Sequence, residues 1–185
     1  RIVDAAGKEY LDASGGAAVS CLGHGHPDVI RAMHEQIDRL AFAHTRFFST
    51  PVAEALADHL IAHAPQGMSH GYLVSGGSEA VEAALKTAML ATGRPGLVAF
   101  TGAYHGLGYG ALNATHREHF RGPFRSQLRE FGRFVPFPVA ADVRRLESSR
   151  VKNRPPHLGC YEVEARIRSL FRREKIGAIL VEPIQ

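Results

Sequence analysis

From His70 onward, short apolar runs of strand length alternate with segments of helical period, and this alternation restricts the possible folds more than any other feature. Tyr72-Leu73-Val74 reads as a strand. Glu79 to Thr92 reads as a helix, with Val81, Leu85 and Met89 in register and Gly93-Arg94-Pro95 as its stop. Leu97 to Phe100 is the next strand, and Tyr161 to Glu174 the next long helix, with Val163, Ile167, Leu170 and Phe171 facing inward. Ala178 to Val181 is a further strand. Strands separated by helices imply an α/β fold with a mostly parallel sheet flanked by helices. Ligands of such sheets collect beyond the carboxyl ends of the strands. Three features stand there: SGGSE after 72–74, TGAYHG after 97–100 and EPIQ after 178–181.

The first part of the chain is organised differently. RIVDAAGKEYLDA holds two short apolar-alternating runs around Ala6-Gly7-Lys8, a hairpin pattern in which glycine supplies the positive φ of a tight turn. After the glycine-rich SGGAAVSCLGHGHP, Pro27 suits the first turn of a helix carrying Val29, Ile30, Met33, Ile37 and Leu40 at helical spacing. Thr50 and Pro51 open a second helix, with Val52, Leu56, Leu60 and Ile61 on one face, closing near Pro65. The stretch from about Val135 to Gly159, with four prolines, reads as a long irregular excursion.

Composition narrows the function classes. With 45% apolar and 22% charged residues among 185, the chain suits a soluble protein with one substantial core. No run approaches the roughly 18 to 20 apolar residues needed to span a bilayer, and no charged-then-apolar leader opens the chain, so the expectation is a cytoplasmic protein. Cys21 and Cys160 are far apart and outside any CxxC, which suggests neither a disulfide framework nor zinc. Residues 116–185 hold 15 Lys+Arg against 8 Asp+Glu, but the arginines from Arg117 to Arg133 lie among phenylalanines without a nucleic-acid motif. A solvated or anion-facing surface is the expectation there, with no nucleic-acid partner and no membrane.

At SGGSE, Gly76 and Gly77 let the backbone approach closely, and the helix starting near Ser78 offers unpaired amides and a positive dipole end, an anion seat suited to phosphate. Two other readings stay open here: a tight turn with a capping serine, and a nucleophile elbow, because GGSEA is one residue short of GxSxG. The dinucleotide and P-loop glycine patterns are absent. GAYHG places an aromatic face and an imidazole together at a strand end, suited to a flat conjugated ligand or to loop packing. His24 and His26 lack a carboxylate or cysteine at ligand spacing, so no metal is expected. Glu182 ends an apolar strand, where an unpaired carboxylate is costly, so a cation, a hydrogen-bond donor or a catalytic neighbour is expected beside it.

In order, these segments resemble the class III (ω-amino acid) aminotransferases, fold-type I enzymes dependent on pyridoxal 5'-phosphate. The matching stretches are VDAAGKEYLDASGG with GHGHPDVIRAMHEQ, then SGGSEAVEAALK, GAYHG and AILVEPIQ, similarly spaced and spanning almost the whole chain. The resemblance implies that residues 1–48 are the N-terminal segment of a small domain and 49–185 the first part of a large cofactor-binding domain. It implies that the amides of Gly77 and Ser78 hold the phosphate, that Tyr104 stacks on the pyridine ring with His105 as its neighbour, and that Glu182 stands close to the cofactor. Phe48 falls where a substrate-contacting aromatic is common, and Ala17 to Val19 in a segment lining the substrate channel. The Schiff-base lysine and the aspartate facing the pyridine nitrogen are implied beyond Gln185, since none of Lys8, Lys86, Lys152 or Lys175 matches. Together with the apolar ending AILVEPIQ, this leads to the expectation of a piece of a longer protein, inactive by itself. The implied reaction takes an amine donor and a 2-oxo acid acceptor such as 2-oxoglutarate or pyruvate, in a homodimer. A serine hydrolase using Ser78 and a non-catalytic truncated module of the PLP fold are the alternatives.

Overall fold

The computed structural model describes residues 1–44, 46–137 and 160–183. Lys152 and the expected irregular excursion from residue 138 on lie outside the described residues, as does Gln185. By internal contacts the chain divides into two units, Arg1–Gly71 and Tyr72–Gln185.

The first unit opens with the expected hairpin, β1 (Ile2–Val3) pairing antiparallel with β2 (Glu9–Tyr10). Asp4 builds its turn: Oδ1 accepts from the amides of Ala6 (2.9 Å) and Lys8 (3.0 Å), and Gly7 sits at φ 80°. A short helical segment follows, α1 (Gly15–Ala18), in which Gly16 (φ 62°) and Ala17 (φ 59°) are left-handed. Asp12 ties this segment down, accepting from the amides of Ser14 and Gly15 through Oδ1 and bonding His24 Nε2 through Oδ2 at 2.5 Å. The His24 bond is the main reason the Asp12 carboxyl falls to about 2. Helices α2 (Pro27–Arg39) and α3 (Pro51–His63) begin at the anticipated prolines, and Thr50 Oγ1 caps α3 by accepting from Ala53 N. The apolar stripe on α2 is not buried among the described residues: Val29, Met33 and Ile37 line an open groove with Leu22 and Val52.

The second unit is built on a three-stranded parallel sheet of order β4-β3-β5. Here α4 (Gly77–Thr92) precedes β3 (Gly96–Phe100), with Gly93 ending the helix in the left-handed conformation (φ 64°). Then come α5 (Tyr109–Ala114), α6 (Glu118–Arg121), a 3-10 turn (Gly122–Gln127), β4 (Gly132–Val135), α7 (Cys160–Arg173) and β5 (Ile176–Ile179). Central β3 is covered on both faces, which is why it reads as a continuous apolar run. Leu97 and Ala99 pack with Ala114, Leu85 and Phe134 on one side. Val98 and Phe100 pack with Val135, Val163 and Ile176 on the other.

Three expectations are corrected. Tyr72-Leu73-Val74 is not a strand: no described strand lies alongside to pair with it, and a strand exists only through its ladder. Phe171 is 36% exposed rather than inward, standing at the rim of an open groove beside Phe100 and Ile167. The strand expected at Ala178 to Val181 runs two residues earlier, Ile176–Ile179, because the ladder to β3 begins with Gly96 opposite Ile176.

Candidate functional site

The tip of α4 is open. Amides in the first turn of a helix have no carbonyl within the helix to bond. Those of Gly77, Ser78 and Glu79 find no acceptor elsewhere among the described residues. A Cβ added to Gly76 or Gly77 would meet nothing within 4 Å. The Glu79 carboxylate turns back to accept from Ser75 N (2.9 Å), fixing the entry of the chain without covering those amides.

Two hydrogen bonds gather the three strand-end features. Gly108 N donates to Ser78 Oγ at 3.0 Å, tying the loop after β3 to the first turn of α4. Tyr104 N donates to Glu182 Oε2 at 3.2 Å, tying the same loop to the segment after β5. Because β3 and β5 are parallel, their loops emerge at one edge of the sheet. The carboxylate expected to need a donor at position 182 thus has a backbone amide. One turn after Ser78 on α4, Glu82 Oε1 accepts from Gly110 N (2.6 Å) and Ala111 N (2.9 Å), anchoring the start of α5. Sequence reasoning missed Glu82, as it missed Phe120, whose ring lies 5.1 Å from that of Tyr104 at 60°.

Tyr104 is 38% exposed. His105 is half-buried, and its Nε2 is buried without a hydrogen-bond partner among the described residues. Burial lowers the His105 pKa from the ordinary 6.5, with nearby Glu182 opposing, and burial followed by Arg121 lowers that of His116. Both rings are therefore neutral at pH 7. A histidine with a depressed folded pKa binds its proton first in the unfolded state, so stability declines as pH falls below 6.5 and levels off below the folded values. Urea unfolding of the protein above and below that pH should show this loss, and replacement of His105 by Gln should diminish it.

Of the expected site residues, the structure brings together Gly77, Ser78, Tyr104, His105 and Glu182. Phe48, Ala17 and Val19 belong to the first unit, where all three are exposed. Ser78 Oγ serves as acceptor to a backbone amide, and among the described residues no imidazole or carboxylate bonds to it as a nucleophile would require. The described residues contain no group of three His, Cys, Asp or Glu side chains arranged to hold a metal ion.

The described part of the second unit is thus a parallel α/β sheet with loops tied together beyond its carboxyl edge, around an open helix tip, the place where ligands of such sheets collect. This chain belongs to the class-III aminotransferase family, whose sequence model, Aminotransferase class-III, matches residues 1–185. It is 39% identical over 149 residues to acetylornithine aminotransferase of Methanopyrus kandleri, a match covering 80% of this chain and 37% of that protein. It is 38% identical over 133 residues to putrescine aminotransferase of Pectobacterium atrosepticum, covering 70% and 28%. Among solved structures, taurine:2-oxoglutarate aminotransferase from Bifidobacterium kashiwanohense, in complex with PLP and glutamate, superposes with a TM-score of 0.79 at 26% identity. That match covers 98% of this chain and 40% of the other. The fold is thus that of the PLP-dependent transaminases, and the chain spans about a third of the length of the curated relatives it matches.

Proposed function

We propose that this chain forms the phosphate-holding part of a pyridoxal-phosphate-dependent aminotransferase, which moves an amino group from an ω-amino acid or amine to a 2-oxo acid such as 2-oxoglutarate or pyruvate. The observation that carries the reading is the joining of the α4 tip, the Tyr104–Gly108 loop and Glu182 by the Ser78 and Tyr104 bonds. The residues fit the cofactor: open helix-tip amides suit a phosphate, the loop bonded to that tip bears an aromatic ring, and His105 Nε2 is a buried atom with an unmet hydrogen bond. Acetylornithine and putrescine, for which two relatives are named, both carry a primary amine at the end of a short alkyl chain. That shared chemistry supports an ω-amine donor.

When bound, pyridoxal phosphate supplies the electron sink through which nitrogen leaves the donor and reaches the acceptor. On this reading the amides of Gly77 and Ser78, at the positive end of the α4 dipole, hold the phosphate. Tyr104, braced by Phe120, would lie against the pyridine ring and limit its tilt, which keeps the reacting bond aligned. His105, neutral at pH 7, offers a hydrogen-bonding nitrogen without adding charge. Glu182 orients the loop through the Tyr104 amide. Phe48, Ala17 and Val19 are proposed to contact substrate.

Lys86 does not suit the covalent role, being exposed on α4 about two turns past Ser78. We place that lysine, and the acidic partner of the pyridine nitrogen, in sequence following EPxQ. The same reading makes the protein a cytoplasmic homodimer with a small domain beginning in residues 1–48. Exposed Val29, Met33 and Ile37 support further protein surface against the first unit, and no helix among the described residues is long and apolar enough to cross a membrane.

The test is to titrate the full-length protein with pyridoxal phosphate, then with ω-amines, following the visible absorbance of the bound cofactor. A band that shifts with an ω-amine and returns with a 2-oxo acid supports the reading, and its absence refutes the cofactor. Ser78→Ala should weaken cofactor binding about fivefold, the scale of one hydrogen bond, and retain turnover at saturating cofactor. Abolished turnover with an unchanged band would instead give the hydroxyl a chemical role.

A further inference from the structure

We propose that Thr115 is a positioning residue for Tyr104 and His105, setting the loop that closes on the α4 tip; the inference deepens the cofactor reading above and rests on it. Thr115 directly follows α5 and is 0% exposed. Its hydroxyl bonds in two directions at once. Oγ1 accepts from the His105 amide at 2.9 Å and donates to the Gly106 carbonyl at 3.0 Å.

The next two residues extend the hold. His116 N donates to the Ala103 carbonyl at 2.9 Å, and Arg117 Nε donates to the Gly102 carbonyl at 3.1 Å. Four backbone groups of the loop, on Gly102, Ala103, His105 and Gly106, thus hang on Thr115–Arg117. Tyr104 lies inside that span, and its own amide donates to Glu182. Gly108, just past the span, is bonded to Ser78. The loop therefore has a fixed floor, and the Thr115 hydroxyl is the buried part of it.

At this position the hydroxyl, rather than side-chain volume, decides the outcome. Valine has nearly the shape of threonine but neither donates nor accepts, leaving an amide and a carbonyl unmet in the interior. The loop can recover those bonds only by turning His105 N and Gly106 O toward water. That turn displaces Tyr104 on one side and the Gly108–Ser78 bond on the other. Serine retains both hydrogen bonds and loses only a buried methyl.

The experiment compares full-length wild type, Thr115→Val and Thr115→Ser. Three quantities are read: the pyridoxal phosphate dissociation constant, the visible circular dichroism per bound cofactor, and the thermal midpoint of the cofactor-free protein. The valine variant is expected to bind the cofactor about tenfold more weakly with a reduced dichroic band, and the serine variant to stay within about twofold of wild type in both. The serine variant should nevertheless have a lowered midpoint, because it loses packing. If the threonine acted only through stability, affinity would follow the midpoint, and weakened cofactor binding by the serine variant overturns the proposal. Wild-type affinity in the valine variant overturns it as well. If the valine variant yields no soluble protein, Thr115→Ala against Thr115→Ser gives the same contrast. Failure of the wild type itself to bind pyridoxal phosphate refutes the cofactor reading instead.

Discussion

Gly106→Ala is expected to collapse the site. Gly106 is buried at φ 122°, where a side chain is strained, and its added Cβ would stand 2.7 Å from Ser78 Oγ and 2.9 Å from Ser78 Cα. A hydroxyl can rotate away, but a Cα belongs to the helix and does not. Strain and overpacking together cost about 2–4 kcal/mol. The easiest relief is to lift the loop off α4, which breaks the Gly108–Ser78 bond and opens the proposed phosphate seat. The variant should lose more than about tenfold in cofactor affinity, since 1.4 kcal/mol already corresponds to a factor of ten. Cofactor titration and urea unfolding of the full-length protein check both parts, and wild-type affinity in this variant would show that the loop and the helix tip do not act together.

Leu97→Ala is expected to produce the largest loss of stability. Leu97 is 1% exposed on the central strand, packed on the face where Leu85 of α4 and Ala114 of α5 meet the sheet. Truncating a leucine there costs about 2–5 kcal/mol, more when the surroundings cannot collapse into the space. They are poorly placed to do so, because the ladders to β4 and β5 hold the strand on both edges. Urea unfolding should show a lower midpoint with an unchanged slope. Since α4 and α5 both rest on this face, cofactor affinity should fall as well, but by less than in Gly106→Ala. A loss below about 1 kcal/mol would mean that the site can repack freely.

How much was legible in the sequence depended on whether the signal was local. The start of α3 at Thr50-Pro51, the end of α4 at Gly93 and the apolar run of β3 are set by residues within a few positions, and each lies within a residue or two of where the pattern placed it. Strand β4 was missed. Its four residues, GRFV, include a glycine and an arginine, and Arg133 points outward to Glu174 at 2.7 Å, so no apolar run marks it. The opposite error at Tyr72–Val74 has the same root, because pairing depends on a neighbour that composition does not reveal. Within the site, SGGSE and GAYHG were visible as motifs. The bonds that join them were not: Gly108 to Ser78 spans 30 residues and Tyr104 to Glu182 spans 78. Only the cost of burying Glu182 hinted that position 182 needed a donor. Thr115 and Glu82 carry no motif, since a threonine and a glutamate beside helices are ordinary residues until their partners are known.

The first turn of α4 and the loop it holds are proposed to form a phosphate seat for pyridoxal phosphate. The most direct measurement is a crystal structure of the full-length protein grown with the cofactor. The phosphate is expected within hydrogen-bond distance of the Gly77 and Ser78 amides, with the Tyr104 ring against the pyridine. A cofactor bound elsewhere, with those two amides facing only water, would contradict it.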